Sequence, residues 1–245
     1  SASFALTFGT ATASAITTQP SGAVNGVAFT QQPVVRIVDS GGNTVTNSTV
    51  NVVATIASGT GTLSGTTTVA AISGVATFTN LVITGTAGNF TLTFTPTALT
   101  AVTSASFALT FGTATASAIT TQPSGAVNGV AFTTQPVVRI VDASGNTVTN
   151  STVNVVATIA SGTGTLSGTT TVAAVSGVAT FTNLVITGTA GNFTLTFTPT
   201  ALTAVTSNSF ALTFGTATAS AITTQPSGAV NGVAFTQQPV IRIVD

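Results

Sequence analysis

Large apolar residues recur at every second position through much of the chain. In Phe90-Thr-Leu92-Thr-Phe94 and in Phe107-Ala-Leu109-Thr-Phe111 they alternate with small or polar residues, the pattern of a strand with one buried face. Val50, Val52, Ala54 and Ile56 continue it. Turn-forming clusters separate these runs at about strand-length intervals: Gln19-Pro20-Ser21-Gly22, Ser40-Gly41-Gly42-Asn43, Gly59-Thr60-Gly61, Ser73-Gly74 and Ala87-Gly88-Asn89. Together they predict seven strands, at 14–19, 33–39, 49–57, 66–72, 75–84, 89–95 and 103–111. No stretch has the 3.6-residue period and caps of a surface helix. Seven short strands in about 100 residues predict an all-β, immunoglobulin-like sandwich.

The pattern repeats. The stretch beginning at Ser1 recurs at Ser104 and again at Ser207, a period of 103 residues. The first two copies differ only at Gln31/Thr134, Ser40/Ala143, Gly41/Ser144 and Ile72/Val175, and the third stops at Asp245. That period is too long for a solenoid turn or a propeller blade and suits a whole small domain. With strand one starting at Ser14, the expected organisation is a last strand of a preceding repeat at 1–9, complete sandwiches at 14–112 and 117–215, and the first strands of a truncated repeat at 220–245. The expectation is therefore a segment of a longer array of tandem sandwiches, or one whose ends complete neighbouring chains by strand addition.

Three elements occur in the same order in both complete copies. Asp39-Ser-Gly-Gly-Asn43 and Asp142-Ala-Ser-Gly-Asn146 follow the second strand; Gly74-Val-Ala-Thr-Phe78 and Gly177-Val-Ala-Thr-Phe181 come next; then Ala87-Gly88-Asn-Phe90 and Ala190-Gly191-Asn-Phe193. This order resembles the bacterial immunoglobulin-like repeat domains of the intimin/invasin type, found in large surface adhesins and extracellular fibres. The resemblance implies a spacer that holds an adhesive tip away from a cell surface.

Composition narrows the chemistry. Of 245 residues only three are Lys or Arg and three Asp or Glu, and His, Cys, Met, Trp and Tyr are absent. Acid–base and nucleophilic catalysis, thiol chemistry and transition-metal binding draw on residues that are missing or isolated here, so the expectation is no enzyme and no cofactor. One carboxylate per repeat is too few for a calcium site, which needs six to eight oxygens. Without Lys there is no Lys–Asn isopeptide bond, leaving only an ester between Thr and Gln, through Gln19 or Gln32. Net charge is zero, so neither a nucleic acid nor an anionic membrane finds clustered Lys or Arg. No apolar run approaches the roughly 18 residues of a membrane-spanning helix, and no charged region precedes a signal core; any export signal would lie outside this segment.

The six charges form one R-I-V-D per repeat: Arg36/Asp39, Arg139/Asp142 and Arg242/Asp245. Three residues apart on a strand, the two side chains point to opposite faces. They are candidates for an inter-domain or inter-subunit contact that sets register on a neutral surface. The alternative has Asp39 capping its own turn toward Asn43 and Arg36 solvated along the strand. Thr pairs such as Thr60/Thr62, Thr84/Thr86 and Thr91/Thr93/Thr95 read as outward strand positions, as O-glycan acceptors, or as a flat array for carbohydrate, mineral or ice. Asn47, Asn89 and their copies Asn150 and Asn192 fit the N-glycan acceptor pattern.

Near-neutrality also removes the usual safeguards against association, since soluble sheet proteins carry net charge and edge Lys. The expectation is a structural segment of an extracellular or cell-surface filament or adhesin stalk. Its partners are copies of itself and glycans, with no nucleic acid and no direct membrane insertion. A Thr-faced adhesive module is the alternative.

Overall fold

The computed structural model describes residues 7–245, all strand, turn and loop, with no helix among them. The strand expected over 1–9 falls mainly on residues 1–6, outside the described residues. The chain divides into two compact units, one of Ser1–Thr115 with Val141–Val148, the other of Ala116–Ile140 with Thr149–Asp245.

In the first unit, β1 (Ala11–Thr18), β3 (Val34–Asp39) and β7 (Val75–Thr77) form a three-stranded sheet in the order β1-β3-β7. The facing sheet has the order β2-β11-β9-β4-β6, built from β2 (Ala23–Val24), β11 (Phe107–Thr110), β9 (Gly88–Pro96), β4 (Asn51–Ser58) and β6 (Thr68–Ala70), with β10 (Val102–Thr103) also on β9. A separate ladder joins β5 (Gly61–Ser64) to β8 (Val82–Gly85). The inward residues of both sheets meet in one core: Val35 and Ile37 from β3 and Ala76 from β7 pack with Val52, Ala54, Phe90, Leu92, Phe94 and Leu109. Alternation along β9 is followed to the residue, with Phe90, Leu92 and Phe94 buried and Thr91, Thr93 and Thr95 facing out. Phe78 and Phe94 touch with ring centroids 5.3 Å apart, and Phe29 meets Phe107 edge-on at 5.5 Å. This is a β-sandwich of the immunoglobulin-like kind.

Eleven strands, β12 (Ala114–Thr121) through β22 (Phe210–Thr213), follow in the same sheet order. β23 (Ala219–Thr224) and β24 (Val240–Val244) then pair with each other as an antiparallel two-stranded sheet.

Each repeat thus holds eleven strands where the alternation predicts seven. The segment expected at 75–84 is two strands in different ladders. Phe78 and Leu81, three apart, both turn into the core and break the period of two. Between them the chain is bracketed by Gln32, whose amide accepts from Leu81 N–H at 3.0 Å and donates to Leu81 C=O at 3.1 Å. The segment at 103–111 is broken at buried Ser104, whose hydroxyl accepts from Leu92 N–H at 3.0 Å in place of a backbone ladder partner. β2 and β5 are short additions that alternation over so few residues does not reveal.

Candidate functional site

The R-I-V-D segments end in a polar turn. β3 runs out at Asp39, and Gly42, at φ +80°, lets the chain double back to Asn43. Asp39 Oδ1 accepts from the backbone N–H of Gly41 (3.0 Å) and Asn43 (2.8 Å), an Asx-type turn, and Asn43 Nδ2 donates to both carboxylate oxygens. The remaining oxygen reaches back 30 residues to Gly9 N–H at 2.7 Å. The bond from Gly9, then those from Asn43, hold the Asp39 carboxyl down at about 2 from an ordinary 3.8, against the opposing effect of burial.

The equivalent turn of the next repeat, Asp142–Asn146, belongs to the first compact unit. There Asp142 is buried, at 3% exposure. Its Oδ1 accepts from Ser144 and Asn146 N–H, both at 2.9 Å, while Oδ2 accepts from Gly112 N–H at 2.8 Å and from Asn25 Nδ2 at 2.9 Å. The network continues: Asn25 Oδ1 accepts from Gly85 N–H (2.9 Å) and from the Ser144 hydroxyl (3.3 Å). Asn146 donates to Gly85 C=O (2.9 Å) and accepts from Ala87 N–H (2.8 Å). Burial by itself raises the Asp142 pKa and is the largest single influence. Bonds from Gly112, Asn146 and Asn25 outweigh it, leaving the carboxyl at about 2.

In the second unit, Asp245 Oδ2 accepts from Gly215 N–H at 2.6 Å and Asn128 Nδ2 at 3.0 Å, and Asn128 Oδ1 accepts from Gly188 N–H at 2.9 Å. Gly215 and Asn128 lower the Asp245 carboxyl in the same sense, though the residue is exposed.

The three Arg residues lie on the strands that lead into these turns. Half-buried Arg36 lies on β3 opposite Ala15 and Val75, and its Nη1 donates to Thr44 Oγ1 at 3.5 Å while its Nε is buried without a partner. None of the hydrogen bonds of Asp39 is to Arg36. Arg139 pairs with Val178 on the strand Val137–Asp142, and Arg242 sits opposite Ala221 on β24. The two Gln residues considered for an ester are occupied by backbone: Gln32 brackets Leu81, and Gln19 Oε1 accepts from Ala105 N–H at 3.0 Å.

The residues missed from sequence are Asn25, its copy Asn128, and the glycines Gly9, Gly112 and Gly215. Asn25-Gly26 reads locally as a turn and nothing more, and its partner Asp142 is 117 residues away. Chemically the arrangement satisfies backbone donors with a buried carboxylate. Among the described residues no three Asp, Glu, His or Cys gather as metal ligands.

On the outward face of the six-stranded sheet, Thr55, Thr93 and Thr103 lie in cross-strand register. Their hydroxyls are partly turned on each other: Thr93 and Thr103 are 3.1 Å apart, and Ser58 and Thr91 are 2.8 Å apart.

No family model and no curated protein matches the chain. Among solved structures it is similar to the D0–D1 domain of intimin, at 17% identity over 81% of this chain and 97% of that one, with a TM-score of 0.32. It is also similar to the Escherichia coli adhesin FdeC, at 17% identity over 98% of this chain and 76% of that one, TM-score 0.46. A β-glycosidase from Bacteroides vulgatus matches at 13% identity over 80% of this chain but 24% of its own, TM-score 0.36. The fold assignment itself rests on the strand order and core described above.

Proposed function

We propose that this chain is a structural, non-catalytic repeat segment of a bacterial extracellular filament or surface-adhesin stalk, located outside the cell and working by stiffness. The observation that carries the reading is the use made of the carboxylates: Asp39, Asp142 and Asp245 are all committed to backbone N–H groups. A chain whose charged groups close turns and strand ends has no base for a nucleophile and no ligand set for calcium. In this reading the D-x-x-G-N turn Asp142–Asn146 is a closed, rigid element of the compact unit that contains it.

The finer part of the proposal is that copies of the chain associate by side-to-side packing or strand sharing. Ile72 and its copy Val175 support it: each stands at a turn tip with three quarters or more of its surface exposed, on a protein with almost no repulsive charge. Glycans on outward Thr would oppose such packing. A Thr-faced module for carbohydrate, mineral or ice draws support from the Thr55–Thr93–Thr103 row, and less from hydroxyls that already pair with each other.

Sedimentation and electron microscopy of the unglycosylated chain test the reading. Assemblies that grow with concentration and carry a bead repeat are expected. A chain that stays monomeric at high concentration removes self-association, and freely jointed beads remove the stiff stalk.

A further inference from the structure

The three Asn-Gly pairs, Asn25-Gly26, Asn128-Gly129 and Asn231-Gly232, lie in the same tetrapeptide Val-Asn-Gly-Val. Asn-Gly is the dipeptide most open to spontaneous deamidation, because glycine puts no side chain in the way of its own backbone nitrogen. That nitrogen attacks the asparagine Cγ, and the Cγ–Nδ2 bond breaks. Ammonia then departs with the proton the attacking amide gives up, and water opens the cyclic imide to aspartate or isoaspartate. No oxidant or reductant is needed.

The surroundings of the three pairs differ. Asn25 is 7% exposed, with its amide held at both ends by Asp142, Gly85 and Ser144. The would-be nucleophile, Gly26 N–H, donates to Ile83 C=O at 2.9 Å. At Asn128, Gly129 N–H is likewise bound to Ile186 C=O at 2.9 Å and the amide is held by Asp245 and Gly188, but the residue is half-exposed. Asn231 and Gly232 are exposed, and among the described residues none of these holding contacts is made there; the turn is closed by Val233 N–H to Val230 C=O at 3.0 Å.

We propose that the Asn-Gly pair of each complete repeat is a self-modifying site that the fold latches. Asn25 converts only when the Asp142–Asn146 network opens and Asn128, held by fewer contacts, more readily; Asn231 of the 245-residue chain serves as the unlatched reference. Conversion at Asn25 then keeps the network from closing again, because it replaces the amide that donates to Asp142 with a carboxylate facing another carboxylate at hydrogen-bond distance. The network of neutral amides around one buried charge would become a pair of like charges, and the ring of bonds to Gly85 and Ala87 would lose its anchor. Each unit thus carries an amide whose loss unlatches the turn.

Peptide mapping by mass spectrometry during incubation of the 245-residue chain at mildly alkaline pH tests this directly. In the folded chain Asn231 should convert at least about tenfold faster than Asn25, with Asn128 between them, since reaction at a protected site follows the population of its open form. In denaturant the three rates should converge, their local sequences being identical. Equal rates in the folded chain, or an order that persists in denaturant, overturns the proposal. The variant N25D mimics the product: it should lower the melting temperature at neutral pH and recover part of the loss toward pH 3, where the carboxyl pair shares a proton. N231D should change neither. An unchanged melting temperature in N25D overturns the unlatching step, whatever the mapping shows.

Discussion

The pair β1/β3 and the pair β23/β24 are nearly the same sequence in two settings. Both hold the same register: Ser14 lies opposite Ile37 and Ile16 opposite Val35, as Ser220 lies opposite Ile243 and Ile222 opposite Ile241. They share the irregularity between Ile16 and Thr18 or Ile222 and Thr224, and β1/β3 has a second between Ala11 and Ala13. Burial separates them. Val35 and Ile37 are at 0% exposure, whereas Ile241 and Ile243 are at 60% and 66%. Strand pairing over these residues is the same in both settings; burial needs the facing sheet, and it is burial that supplies the larger part of the stability.

The comparison is broken most severely from the buried side. Ile37→Ala should cost about 2–5 kcal/mol, read as an earlier unfolding transition in urea, because it leaves a cavity between the two sheets. Ile243→Ala should move that curve by no more than about 0.5 kcal/mol. Equal effects at the two positions would show that β23/β24 is covered in solution.

A second contrast is steric. A Cβ at Gly162 would stand 2.3 Å from the ring of Phe193, at φ +104°, so Gly162→Ala should destabilise by about 1–3 kcal/mol through overpacking, with backbone strain added. At Gly129, φ +74° with nothing within 4 Å, only the backbone penalty of about 1–2 kcal/mol remains. Thermal melts of the two variants measure the difference.

Acid separates the same elements by another route. The Asp142 and Asp39 carboxyls sit at about 2 in the folded chain against 3.8 for the ordinary group. A lowered value means the folded state holds the ionised form more tightly. The stability this supplies is complete above about pH 4 and is lost as pH falls toward 2. The melting temperature should drop across that window, and Asp142→Asn should flatten the drop while lowering the plateau. A melting temperature unchanged from pH 5 to 2 would mean that these turns carry no net stabilisation.

The smallest expected effect is at the exposed tips. Ile72→Thr with Val175→Thr should shift stability by no more than about 0.5 kcal/mol, yet reduce concentration-dependent association if the tips pack against other copies.

Much of this was legible in the chain itself. The alternation of Phe90, Leu92 and Phe94 with Thr marks an inner and an outer face, and the structure follows it. Asp39 capping toward Asn43 is local chemistry, readable from a D-x-x-G-N turn. The break at Phe78–Leu81 was not readable, because a strand that changes ladders looks the same from sequence as one that continues. Nor was the bond from Gln32 to Leu81, across 49 residues, or the approach of Asn25 to Asp142 across 117. A polar residue in a turn declares its own turn and not the distant backbone it will satisfy.

By itself, then, the sequence determined the repeat, the strand character and the turns, since each depends on residues close along the chain. It also determined which residue types are at hand, because missing ones cannot be restored by folding. Tertiary structure decided which copies of Val and Ile are buried, where a strand leaves its sheet, and that Asp142 closes on Gly112 and Asn25. Those outcomes depend on the second sheet and on the packing of distant segments, and identical residues therefore meet different fates in β3 and β24.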